Sequence, residues 1–265
     1  MTKADTTIGP ERRARMGRRL SDGSVIYWWL EILISLLFYL VYSLARNTNK
    51  SNPTKAFRNA RTIVHLEHTL GIFREAAIEG WALHVKAIVI AANYYYGSLH
   101  FAVTIAVAIV LFRKWSDDYP RWRNTLGVST ALALIGFVTF PLMPPRLLPT
   151  QYGFVDTLDK YPTFWSFDSG SIRSISNQFA AMPSVHCCWA LWCACVLVPH
   201  LRHPVAKAAA VLYPTLTVAV IVITANHYFV DALAGFATLG AGYLVAQRAT
   251  RAGRNGDRPR TPARA

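Results

Sequence analysis

Charge is scarce in this chain. Only 16% of its 265 residues are Asp, Glu, Lys or Arg, while 53% are hydrophobic. A soluble domain carries about a quarter charged residues, so a water-soluble globular class is excluded. Acidic residues are the scarcer sign: 14 Asp and Glu stand against 28 Lys and Arg, a net charge of +14. Such an excess can serve nucleic acid, but here it sits at the termini and in short loops between apolar runs. That pattern fits retention beside anionic lipid headgroups, and no nucleic-acid partner is expected. Cysteine is confined to Cys187, Cys188, Cys193 and Cys195, all in one apolar run. Without CxxC pairs they do not make a structural zinc site, and small buried packing residues are the expectation. No cleavable signal peptide is expected either. The first apolar run is too long for a signal core, and no small-residue cleavage site follows it.

What the chain has instead is apolar runs of about 18 to 25 residues, long enough to cross a bilayer as helices. The expected spans are 24–45, 81–112, 124–142, 184–199, 208–225 and 228–247. The second is long for one crossing and short for two; a bend near Gly97 or a short leading helix accounts for its length. Between the first two, Lys55 to Glu79 alternates apolar and charged residues at near-helical period, as a helix in the interface plane does. Its Glu67, His68, Glu75 and Glu79 are expected on a solvated face. His100, inside an apolar run, is expected to be a satisfied core residue. The fold class is therefore all-α: a polytopic membrane protein, a six-transmembrane-helix bundle with an interfacial amphipathic helix. Residues 1–23 form a basic cytoplasmic tail, 24–247 the membrane domain, with its catalytic core at about 80–247, and 248–265 a disordered basic tail. With the N-terminus inside, six crossings also put Arg113–Arg123, His200–Lys207 and the C-terminal tail inside, as the positive-inside rule requires. The expected location is the cell membrane, multi-pass, with both termini cytoplasmic.

Three polar stretches then meet on the outer side: Pro144 to Pro149 around Arg146, Ala181 to His186, and Asn226 to Asp231. His227 and Asp231 lie four apart, one helical turn from each other. A carboxylate beside an imidazole fixes its tautomer and makes it a better nucleophile. Pro183 and Ser184 mark a helix start, where free amides and the dipole favour an anion. Arg146 presents a fork that matches phosphate oxygens. His227, oriented by Asp231, can attack phosphorus. His186 can protonate the departing alcohol and later deprotonate an incoming one. Ser184, Asn226 and the loop residue Arg173 complete the candidate substrate-binding set. Convergent carboxylates are too few for magnesium, and the phosphate-binding neighbours argue against a His2Asp zinc site, so neither metal nor cofactor is expected. A proton-coupled transporter or lipid binder is the rival class, but it predicts internal repeats and midplane sites. The repeats are missing, and the polar clusters sit at helix ends.

The order Arg146, Pro-Ser-x-His at 183–186 and His-x-x-x-Asp at 227–231 resembles the type 2 phosphatidic acid phosphatase superfamily. The stretches "PPRLLP", "AAMPSVH" and "NHYFVD" look closer to its branch of inositol phosphorylceramide synthases and related inositol phosphotransferases. The likeness covers roughly residues 80–247. It implies His227 as nucleophile, Asp231 as its orienting partner and His186 as acid and base. It also implies a phospholipid or polyprenyl phosphate substrate at the outer leaflet, with water or an alcohol as acceptor. Three elements of the phosphatase pattern are altered. Thr139 stands where it has Lys, Val185 where it has Gly, and Val220 and Ile221 near its Ser-Arg pair. Two phosphate-holding cations are thereby lost, with Arg173 a substitute for one, and the losses favour the transferase-like branch.

Overall fold

The computed structural model describes residues 17–48, 52–163 and 178–256. A two-stranded hairpin, β1 (Gly17–Arg19) with β2 (Val25–Tyr27), precedes a chain of helices. In order these are α1 (Trp28–Thr48), α2 (Pro53–Thr69), α3 (Glu75–Leu83), α4 (Lys86–Tyr94), α5 (His100–Lys114), α6 (Tyr119–Thr139), α7 (Thr157–Lys160), α8 (Val185–His200), α9 (Pro204–Ile223) and α10 (Phe229–Gly256). The basic tail is thus partly folded: residues 17–27 pair as a hairpin and the first helix begins at Trp28, not at 24. At the other end α10 runs on to Gly256, past the expected limit of 247.

Among the described residues three helices are long and apolar enough to cross a membrane: Lys86–Lys114, Pro204–Ile223 and Phe229–Ala249. Trp28–Val41 and Val185–His200 are apolar but shorter. Helix α6 is 21 residues long but spends its first turns on Pro120, Arg121 and Arg123. The stretch at 81–112 divides: 81–83 end α3, and from Lys86 the chain runs as a single 29-residue helix to Lys114, in which Tyr95–Leu99 forms one π turn between α4 and α5. A π turn adds a residue without ending the helix.

The bundle is built on α6 against α10, and on α8 against α5, α9 and α10. Its interior holds Val107, Leu111, Cys188, Trp192, Cys193 and Leu239. Helix α1 docks on α6 through an ion pair between the buried Glu31 and the half-buried Arg123 and leaves Leu33, Leu36, Leu37 and Leu40 exposed.

Two glycines let the bundle close. A Cβ at Gly235 of α10 would overlap the Ser184 carbonyl, and one at Gly136 of α6 would overlap the Pro183 ring. Both hold the start of α8 between α6 and α10. Because the neighbour at Gly235 is backbone, Gly235→Ala is expected to destabilise the fold by about 1–3 kcal/mol. Thermal unfolding in detergent checks this.

The interfacial segment is two helices, not one. Asn52 caps α2, accepting from Thr54 N at 2.9 Å, and Pro53 fills the first position. Gly71, at φ 70°, turns the chain away after Leu70. The apolar stripe of α2 (Ala60, Ile63, Val64) packs on Leu142, Leu148, Phe154, Ala225 and Tyr228. A second small core therefore lies beside the polar stretches.

Candidate active site

The site is assembled where α9 ends. Asn226 N bonds Ile221 O at 3.0 Å and Ala225 N bonds Val222 O at 2.9 Å, the pair of contacts that closes a Schellman turn. Glycine usually takes the left-handed position of this turn, yet here it is Ala225, at φ 49°. The strain is on the order of 1–2 kcal/mol, and its surroundings hold it: Ala225 is buried and its carbonyl accepts from Arg146 N at 2.8 Å. The chain then turns into α10. Asp231 Oδ2 accepts from Tyr228 N at 3.0 Å, reaching back across the first turn as an acid does in a capping box. The same oxygen lies 3.4 Å from His227 Nδ1, an ion-pair distance without the alignment of a hydrogen bond. His227 Nε2 is buried and has no hydrogen-bond partner.

His186 approaches from the first turn of α8. Ser184 caps that helix, accepting from Cys187 N at 3.4 Å, and donates its own N–H to Asp231 O at 3.0 Å. That bond ties the two histidine-bearing helix starts together. The rings of His186 and His227 stand 5.6 Å apart, centroid to centroid. Tyr96, from the π turn, stacks on His186 at 4.2 Å and lies 6.2 Å from His227.

Arg146 sits in a 3-10 turn at Pro145–Leu147. Its Nε donates to Asn226 Oδ1 at 3.0 Å and its Nη1 to Asp156 Oδ2 at 2.8 Å. Asn226 is engaged at both ends, because its Nδ2 donates to Thr224 Oγ1 at 2.9 Å. It thereby links the Arg146 guanidinium to the end of α9. Six of the seven candidate residues thus converge: Arg146, Ser184, His186, Asn226, His227 and Asp231. Arg173 lies outside the described residues.

Four expectations need correction. Glu67, Glu75 and Glu79 are not on a solvated face, for each is 0% exposed. They accept from backbone amides of Val230 (2.8 Å), Phe229 (3.0 Å) and Val155 (3.2 Å) respectively. Helices α2 and α3 pack their stripe on the site rather than lying free of it, so their acids are drawn in with it. His100 is the fourth: it is buried, but neither ring nitrogen has a hydrogen-bond partner. Its ring lies 4.2 Å from that of His186. Lys55 of α2 donates to the Thr139 carbonyl at 3.2 Å.

Burial, with Asp156 nearby, pushes the Glu79 carboxyl from its ordinary 4.5 up to about 7, although the Val155 amide and Lys160 oppose the shift. A raised acid binds more protons folded than unfolded. Its stabilising contribution is full below about pH 4.5 and is lost as pH rises through about 7. Glu79→Gln is therefore expected to flatten the fall in unfolding temperature between those pH values. Thermal scans of both proteins at matched pH check it.

Sequence reasoning missed Tyr96, Asp156 and the inward turn of Glu67 and Glu75. A signal for the acids was present: Ile63, Val64 and Glu67 share the helical stripe of α2 with Ala56 and Ala60. Tyr96 left a weaker one, an aromatic triplet before Gly97 inside an apolar run.

An all-α membrane protein with a buried pair of imidazoles, one of them backed by a carboxylate, and an arginine beside them is the class these observations define. A sequence model of the PAP2 superfamily matches residues 61–245, and the chain belongs to that superfamily. No curated protein and no solved structure matches it. The family points to phosphatase-type activity on lipid phosphates, and so to an enzyme in a membrane.

Proposed function

We propose that this protein is an integral membrane lipid phosphatase or phosphotransferase working through a phosphohistidine at the outer leaflet. The observation that carries the reading is the pairing of two imidazoles whose rings stand 5.6 Å apart, one of them with a buried carboxylate oxygen 3.4 Å from its Nδ1. With Nδ1 turned to Asp231, Nε2 of His227 keeps its lone pair for phosphorus. As the P–N bond forms, the bond from phosphorus to the lipid alcohol breaks. The departing oxygen takes its proton from His186. In the second half His186 removes a proton from water or an alcohol, the new oxygen attacks phosphorus, and the P–N bond returns its electrons to Nε2. Arg146 meets the phosphate oxygens, with the start of α8 beside it. The step needs no metal, since a neutral imidazole is already a nucleophile and the guanidinium meets the charge.

Six crossings, both termini inside and an outward-facing site follow from the distribution of basic loops. The stretches "PPRLLP", "AAMPSVH" and "NHYFVD" favour transfer of a phospho-headgroup, such as phosphoinositol, over simple hydrolysis. The discriminating experiment supplies a phospholipid with and without inositol or another polyol. A new phosphodiester marks the transferase, and inorganic phosphate alone marks the hydrolase. If neither forms from any lipid phosphate, the enzymatic reading fails.

A further inference from the structure

We propose that Glu67 and Glu75 are positioning residues for His227, two carboxyl groups that share one proton and together grip the first turn of α10. The proposal rests on the reading of His227 as nucleophile. The first two amides of a helix have no partner within it. In α10 these belong to Phe229 and Val230, and each is taken by a carboxyl from another helix. Glu75 Oε1 accepts from Phe229 N at 3.0 Å, and Glu67 Oε1 from Val230 N at 2.8 Å. Asp231 takes the preceding amide, that of Tyr228. Three carboxyls from α2, α3 and α10 therefore close the end of one helix.

Their charge does not balance. All three are 0% exposed, and among the described residues none forms an ion pair with Lys or Arg. Asp231 has His227; the glutamates have only amides. Three buried negative charges so close together are too costly to keep. Glu67 Oε2 is buried without a hydrogen-bond partner, the one oxygen of the two glutamates left so. A proton placed there has the neighbouring Glu75 carboxylate as acceptor. Burial first, and then Glu75, push the Glu67 carboxyl up to about 9, which agrees with that placement. The titratable groups facing Glu67 are Glu75 from α3 and Asp231 and Tyr228 at the start of α10.

Two consequences follow for the reaction. With its leading amides occupied, the end of α10 is closed to a phosphate, which leaves the start of α8 and Arg146 to bind it. His227 precedes this clamped turn directly, so slack in the turn moves the ring. A displacement of about 1 Å costs reaction geometry about a hundredfold.

Orthovanadate, a five-coordinate mimic of phosphorus under attack, is the probe, with calorimetric binding to the purified full-length protein. Glu67→Ala and Glu75→Ala are expected to weaken binding about tenfold or more. Glu67→Gln, which keeps the acceptor and carries N–H in place of the acid proton, should stay within about threefold of the parent. Glu67→Asp keeps the acid but shortens its reach and should fall between the two. It carries the comparison if Glu67→Ala does not fold. Infrared spectroscopy at neutral pH, on the Glu79→Gln protein so that the Glu79 acid does not contribute, should show a protonated carboxyl band that adding Glu67→Gln removes. Unchanged vanadate affinity in Glu67→Ala or Glu67→Asp, or binding by Glu67→Gln as weak as by Glu67→Ala, overturns the positioning role. A band that survives Glu67→Gln overturns the shared proton. If the parent protein binds no vanadate, the anion-pocket reading is at fault, and the infrared arm still decides where the proton sits.

Discussion

His227→Ala is expected to abolish turnover, with kcat lower by on the order of 10⁴-fold or more, as when a nucleophile is removed from a group that acts as a unit. Lipid binding should survive, because the guanidinium and the start of α8 are untouched. His186→Ala should be nearly as damaging on a poor leaving group and less so on a good one. An acidic leaving alcohol needs little help from a proton donor, and general acid catalysis contributes about 10²–10⁴-fold. The measurement is phosphate release or phosphodiester formation from two substrates, one with an alkyl and one with a nitrophenyl leaving group. Equal losses on both would remove His186 from the role of acid. Because Ser184 N bonds Asp231 O, the two helix starts move together. The double variant should therefore cost little more than His227→Ala alone.

The second large effect concerns Arg146. Arg146→Ala is expected to lower kcat/KM by about 10²–10³-fold, the usual cost of removing one preorganised donor from a developing charge. Arg146→Lys should recover only part of it. An ammonium restores the charge but not the fork that reaches Asn226 and Asp156 at once. The alanine variant also removes the Arg146 cation from Asp156. Asp156→Asn, which keeps Arg146 but relaxes its hold, should then cost less than Arg146→Ala. Steady-state kinetics on the three variants orders them. A wild-type rate in Arg146→Ala would remove the residue from phosphate binding.

How much of this was legible beforehand differs by element. The three long apolar helices, the stop at Pro141 and the helix starts at Ser184 and before Asp231 were readable, because a bilayer demands long apolar runs and helix ends carry local signals. The division of the interfacial segment at Gly71 and the π turn at Tyr95–Leu99 were harder to see. Both turn on a few backbone angles within segments whose overall period stays helical. The separation of the histidines in the chain, 186 from 227, said nothing by itself about their distance in space.

By itself the sequence determined the class: little charge, long apolar runs, and imidazole, carboxylate and guanidinium gathered at span ends. Tertiary packing decided which acids serve the site. Glu67, Glu75 and Glu79 look like ordinary polar residues of a surface helix, and on an isolated helix they would be. Glu67 and Glu75 become buried caps only because α2 and α3 fold over the end of α10, whose unpaired amides offer them partners that water would otherwise supply, and Glu79 is buried with them against the Val155 amide. A residue's charge is local, but its solvation is set by whatever the rest of the chain lays against it.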